Sequence, residues 1–297
     1  MNKKYILLDD QSIEIGGTNL TTLSILEDRS NEVFTLTPSS LSLYDINDNK
    51  DKLWIIGNIM TLLNNPNKNI IFELFENINF VKLEFDYNFC QYRGEIPHQK
   101  LASQPCTCPH GLTGNKTLSD IYNLITTNAK HSFFMSERQR AIYANHIPLL
   151  NFSKTSILSS CFSKKNLENF ISLRANPKNE KFAILEGFGG WHSTAKGLEE
   201  AKNFCTINNI EFDILPVQAY DKHIQLLSTY KGLVFLPIID DTCPRCIIEA
   251  RLLGLDVITN IHSQHVTEWW WKEPQLTEEY IKNRPKHFWN IIDSLQK

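Results

Sequence analysis

"VFLPIIDDTCPRCIIEARLLGLDVITN", residues 234–260, reads as a buried strand, a loop, a helix and a second strand. Two short apolar runs rich in Val and Ile, separated by about two helical turns, are the pattern of a βαβ unit with parallel strands. In an open parallel sheet, ligands sit outside the carboxyl ends of the strands, where loops lead into helices. Asp241 lies in such a loop and Glu249 on the helix after it, with seven residues intervening and Arg245 between them. Pro244 suits the first turn of that helix, where its missing N–H would have no partner in any case, and Gly254 suits its end. Both carboxylates are then directed towards one pocket above the sheet edge, where they accept hydrogen bonds from a polyhydroxylated ligand such as a ribose or a hexose. On spacing alone, Asp241 as a helix cap and Glu249 as a solvated surface acid fit equally well.

The same alternation runs through the whole chain. "KYILLD", "EVFTLT", "KLWIIG", "FVKLEFD" and "HSFFMS" read as strands, with helices over 18–28, 117–130 and 136–146 and at "IMTLL" and "NIIFELFEN". After the turn-prone "IPLLNFSKTS" (147–156) the alternation restarts with "SILSSCF", "KFAILEG", "EFDILPV", "GLVFLP" and "DVIT" as strands. At 297 residues the chain exceeds one average domain. The expected fold is α/β: two doubly wound Rossmann-like domains, residues 1–150 and 151–297, facing each other across a cleft, with the last helix packing back on the first domain.

A net charge of −3 writes no general attraction to nucleic acid into the composition. No apolar run approaches the ~20 residues of a membrane span, and Asp9 and Asp10 cut short the apolar stretch near the start, so no signal peptide is expected. Seven cysteines are an odd number without the density of a disulfide scaffold, which points to a reducing, cytoplasmic setting.

The stretch "P…D-x7-E-A…G…VI" over 237–258 resembles the donor-binding segment of retaining GT-B glycosyltransferases of the group 1 type, with Asp241 where that family usually carries Glu. Its wording is also similar to a compact branch of such enzymes in viral and marine microbial sequences. The resemblance places Asp241 beside the donor sugar, with Thr242 and Arg245 nearby, and Glu249 on the nucleotide ribose. Such a Glu249 would contribute little to the core, so its loss should leave the fold standing.

A second match is "FAILEGFGGWHSTAKGLEEAKNFC" (182–205), which resembles the family's strand, loop, Lys-Gly and helix. It assigns the donor diphosphate to Lys196 and Gly197, near a helix N-terminus that also favours an anion. The family's Gly-Arg pair is replaced here by "EGFGG", and Arg245 is the candidate for the second cation. A third match, "IEIGGTN" (13–19), places Gly16 and Gly17 in a glycine loop over the donor.

Other clusters call for separate readings. Cys90, His98, Cys106, Cys108 and His110 crowd into one segment, and thiolates with imidazole are the ligands of tetrahedral zinc. Cys90, His98, Cys106 and Cys108 are therefore candidate ligands of a structural zinc, against free thiols in a loop. "CPRC" (243–246) has C-x-x-C spacing but no thioredoxin context. Glu84, Asp86 and Arg93 end a strand at the expected cleft, as acceptor contacts or as structural polar groups. Trp269–Trp271 suit packing of a final helix on the other domain, and His265 a surface position.

These readings converge on an enzyme that moves a sugar from a nucleotide-diphosphate sugar to a glycan or other hydroxylated acceptor, a modified base in DNA included. Lys196 and Asp241 carry the catalytic weight, and no cofactor is required. The alternative is a non-catalytic nucleotide-sugar or glycan-binding protein on the same scaffold. A dinucleotide-dependent dehydrogenase fits poorly, because "IGGTNL" lacks the third glycine of the fingerprint.

Overall fold

The computed structural model describes residues 3–10, 16–59, 62, 68–90, 92, 94–108, 116–187 and 189–296. The helix expected at "IMTLL", Ile13–Ile15 of the third motif, Arg93 and His110 fall wholly or mostly outside them. The chain divides into two compact units, Met1–Ser159 with Lys286–Lys297, and Ser160–Pro285.

The first unit is built on a six-stranded, wholly parallel sheet in the order β2-β1-β3-β4-β5-β6. The strands are β1 (Tyr5–Leu8), β2 (Val33–Leu36), β3 (Leu53–Ile56), β4 (Asn79–Glu84), β5 (His131–Phe134) and β6 (Thr155–Ile157). Every residue of β1 and β3 is buried, as near-continuous apolar runs must be when helices cover both faces of a parallel sheet. The described helices of this unit are α1 (Gly17–Leu26), α2 (Leu43–Asp48), α3 (Lys68–Asn77), α4 (Glu95–Ala102), α5 (Lys116–Asn128) and α6 (Glu137–His146). β6 lies within "SILSSCF" and its approach, a strand the sequence reading gave to the second domain. It pairs instead with β5, and the second unit begins only at Ser160.

Three ionisable side chains are buried at the carboxyl edge of β1, β3 and β4. Asp9 accepts from the Asn58 amide at 2.7 Å and from Thr22 Oγ1 at 3.2 Å. Lys82 is fully buried, donates to the carbonyls of Gly57 and Leu83 at 2.8 and 2.7 Å, and lies 3.7 Å from Glu84. Glu84 also accepts from the Tyr143 hydroxyl at 2.8 Å, so the structural alternative holds for this acid. Burial pushes the Asp9 carboxyl up to about 6, from 3.8. A group whose folded pKa is raised makes stability grow as pH falls from about 6 towards 3.8, because only the folded state binds the proton in that window. Asp9→Asn should therefore flatten the pH dependence of the unfolding free energy there by up to about 3 kcal/mol. Urea unfolding of both proteins at several pH values measures this, and identical slopes would remove Asp9 as the cause.

The second unit carries a four-stranded parallel sheet in the order β10-β9-β7-β8. Its strands are β7 (Phe182–Leu185), β8 (Phe212–Leu215), β9 (Gly232–Phe235) and β10 (Asp256–Thr259). The central β9 is wholly buried, whereas the edge strands β8 and β10 are mostly half-exposed. Its helices are α7 (Lys164–Leu173), α8 (Gly190–Ala195), α9 (Leu198–Ile207), α10 (Tyr220–Leu227), α11 (Arg245–Leu252) and α12 (Pro274–Lys282). The three tryptophans stay within this unit: Trp270 is fully buried and stacks on Tyr280 of α12 at 4.8 Å, and Trp271 lies under Arg251. His265, expected at the surface, is fully buried 5.2 Å from the Trp270 ring.

The last helix, α13 (Arg284–Ser294), ends in the first unit. There Trp289 Nε1 donates to the carbonyl of Ile25 at 2.7 Å, and Arg29 holds Asp293 through two bonds of 2.6 and 2.7 Å. Among the described residues no helix is long and apolar enough to cross a membrane.

Candidate functional site

The second sheet reverses its winding between β7 and β9: β8 lies beyond β7 on one side, β10 beyond β9 on the other. Such a switch point leaves a crevice at the carboxyl ends of the two strands. The segments that follow β7 and β9 bring in Lys196 and Asp241, and the Lys196 ammonium meets Asp241 Oδ2 at 2.5 Å. Two motifs that are 45 positions apart in sequence thus converge.

Lys196 owes its place to the residue after it. The helix expected over "TAKGLEEAKNFC" breaks there into α8 and α9, because Gly197 takes the left-handed conformation at φ +75°. A side-chain carbon on Gly197 would come within 1.7 Å of the carbonyl oxygen of Leu236, the residue after β9. The close approach is fixed by a bond from the Ile238 amide to the carbonyl of Ala195 at 3.1 Å. Upstream, the loop after β7 turns through Gly189 and Gly190, both at positive φ, and a Cβ on either would meet nothing within 4 Å among the described residues. Ser193 ties the loop down by donating to the carbonyl of Glu186 and accepting from the Gly189 amide.

Asp241 is held by its backbone. Its amide donates to the carbonyl of His262 at 2.8 Å, and its carbonyl accepts from the Gln264 amide at 3.1 Å. The segment after β10 supports this loop further: Asn260 Nδ2 donates to the carbonyl of Pro237 at 2.9 Å, and His262 Nδ1 pairs with Asp240 at 2.8 Å. The Asp241 side chain is largely buried and the Lys196 side chain half exposed. An ion pair with one exposed partner contributes at most about 1 kcal/mol, so an incoming anion displaces it readily. Thr242, beside Asp241, is buried.

Arg245 and Glu249 form the second element of the site, one turn apart on α11. Arg245 Nε donates to Glu249 Oε1 at 2.8 Å, its Nη1 donates to the carbonyl of Cys161 at 2.6 Å, and its guanidinium lies 3.7 Å from the Phe162 ring centre. Tyr220, at the start of α10, donates its hydroxyl to the same Glu249 oxygen at 2.8 Å. Both charged residues are almost fully buried, which rules out the solvated-acid reading of Glu249. Arg245 Nη2 is buried with no hydrogen-bond partner among the described residues.

Tyr220, Phe162, Asn260 and His262 were not singled out by the sequence. Tyr220 lies 29 residues from Glu249, and no local pattern links the two. Burial pushes the Cys243 thiol up to about 12 and raises that of Cys246 further, so both stay protonated and neither suits redox exchange at neutral pH.

In the first unit, Gly16 and Gly17 open α1 beyond β1, and Gly16 caps the helix without a side chain. Cys90, His98, Cys106 and Cys108 come together, their ligand atoms all within 4.8 Å of one another.

No family model and no curated protein matches this chain. Solved structures do match. HepE from Anabaena, in complex with UDP and glucose, is 12% identical over 100% of both chains with a TM-score of 0.55. The sucrose-phosphate synthase of Thermosynechococcus elongatus is 11% identical, covering 99% of this chain and 95% of that one, at 0.55. An alpha-glucosyltransferase in complex with UDP and a 13-mer DNA containing an HMU base is 9% identical over 100% of both chains, at 0.52. At such identities the likeness concerns the course of the backbone. The two parallel α/β units of this chain have the GT-B fold of these glycosyltransferases.

Proposed function

We propose that this protein is a glycosyltransferase that moves a sugar from a nucleotide-diphosphate sugar to a hydroxylated acceptor, with retention at the anomeric carbon. The observation that carries the proposal is the meeting of Lys196 with Asp241 at the switch point of the second sheet. A diphosphate is the right anion to exchange with Asp241 for the Lys196 ammonium, since it brings more charge than one carboxylate. As the bond from sugar to phosphate breaks, negative charge grows on the leaving diphosphate. A lysine already positioned there stabilises that charge without reorganisation. Asp241, released from the lysine, accepts hydrogen bonds from the sugar hydroxyls.

Glu249 takes the ribose. Its Oε1 is occupied by Arg245 and Tyr220, which leaves Oε2 without a bond among the described residues and free for hydroxyl donors. Arg245 then acts by holding Glu249 in place. This chemistry asks for no metal at the diphosphate. HepE, which shares this fold and was solved in complex with UDP and glucose, supports the reading.

The experiment is incubation with UDP-, GDP- and ADP-sugars in the presence of glycan or of DNA carrying hydroxymethylated bases, with nucleotide diphosphate release as the readout. Consumption of one donor, accelerated by one acceptor class, is the expected result. Saturable donor binding with no release under any condition would make the chain a nucleotide-sugar-binding protein.

A further inference from the structure

We propose that Cys90, His98, Cys106 and Cys108 form a structural zinc site of Cys3His type in the first unit. Their four ligand atoms lie within 4.8 Å of one another. His98 Nδ1 stands 3.4 Å from Cys90 Sγ and 3.5 Å from Cys108 Sγ. Zinc–sulfur and zinc–nitrogen bonds of about 2.3 and 2.05 Å in a tetrahedron require sulfur-to-nitrogen separations of about 3.6 Å. The His98 nitrogen and the sulfurs of Cys90 and Cys108 are therefore close to ligand spacing already. His98 Nδ1 thus faces two thiol sulfurs at once, while Cys90 Sγ also reaches the carbonyl of Gly94 at 3.5 Å. A cation at the centre of the four atoms satisfies all of them together.

Position and burial indicate a closed, non-catalytic site. Cys90, His98 and Cys108 are fully buried, and only Cys106 is partly accessible. Three cysteines and one histidine fill all four positions of a tetrahedral metal and leave none for substrate. The Tyr92 amide approaches Cys90 Sγ at 3.4 Å, a contact that suits a metal-bound thiolate as acceptor.

The chain itself gives the site a purpose. Between β4 and α5 lies a crossover of some thirty residues whose only described helix is the short α4. His98 on α4 and the cysteines on either side of it would let one ion pin this crossover at three places. Binding releases the three thiol protons to solvent and changes no oxidation state. The proposal is independent of the donor site, since all four residues belong to the first unit and none takes part in sugar transfer.

The test uses the full chain purified from zinc-supplemented medium. We expect about one zinc per chain by elemental analysis. Cobalt substitution should give thiolate-to-metal charge-transfer absorption. Cys106→Ser, at the most accessible ligand, should lose most of the metal, while Cys205→Ala, in the second unit, should keep it. Stripping the metal should lower the melting temperature of the wild type and leave that of Cys106→Ser unchanged. Two results would overturn the proposal: a chain that takes up neither zinc nor cobalt after reduction, or equal zinc content in the wild type and Cys106→Ser.

Discussion

Gly197→Ala should destabilise the second unit by about 4 kcal/mol, the sum of a left-handed backbone penalty and a severe overpacking cost. The first contribution follows from φ +75° at a residue that would gain a Cβ. The second follows from the 1.7 Å between that Cβ and the Leu236 carbonyl, which no rotamer change relieves because both partners are backbone. To make room, the α8–α9 junction must lift away from β9, and Lys196 leaves Asp241 with it. The variant should therefore lose donor binding together with stability. Denaturant unfolding measures the loss; a variant within about 0.5 kcal/mol of wild type would show that the junction is not packed as described.

Glu249→Ala should cost about 3–5 kcal/mol, because it leaves the buried Arg245 charge uncompensated and the Tyr220 hydroxyl without its acceptor. This reverses the sequence expectation that the fold would tolerate the change. The double replacement Arg245→Met with Glu249→Leu removes both charges and should recover most of that stability, since a buried ion pair can be exchanged for apolar groups at little cost. Donor affinity should not recover with it, as the ribose would still lack its carboxylate. Calorimetric donor titration and urea unfolding of the single and double variants separate the two roles. Full recovery of donor affinity in the double variant would confine Glu249 to a structural part.

What the sequence disclosed, and what it hid, follow from the range of the interactions involved. The strands were legible because parallel strands covered on both faces are written as unbroken apolar runs, as in "YILL" and "LWII". The motifs that carry Lys196, Gly197 and Asp241 stood out because each is a few residues long, and the structure brings Lys196 and Asp241 together. The partners that fix Glu249, Arg245 and Asp241 were not, because Tyr220, Cys161 and His262 reach them from other elements. The break between α8 and α9 was hidden for a related reason. The left-handed Gly197 sits against the Leu236 carbonyl, nearly forty residues further on, a contact that the local pattern around "TAKGLEEAKNFC" does not show. β6 went to the wrong sheet because a short strand carries no mark of which neighbour it will pair with.

The most direct measurement is nucleotide diphosphate release from the preferred donor by wild type and by Lys196→Ala, at saturating donor and with unfolding followed in parallel. If Lys196 stabilises the departing diphosphate, the variant should stay folded, because a half-exposed ion pair contributes little to stability. Its turnover should fall on the order of 10²–10³-fold, the loss typical of removing one electrostatic partner of developing charge. Equal turnover by the two proteins, or none by the wild type on any nucleotide-diphosphate sugar, would contradict the account.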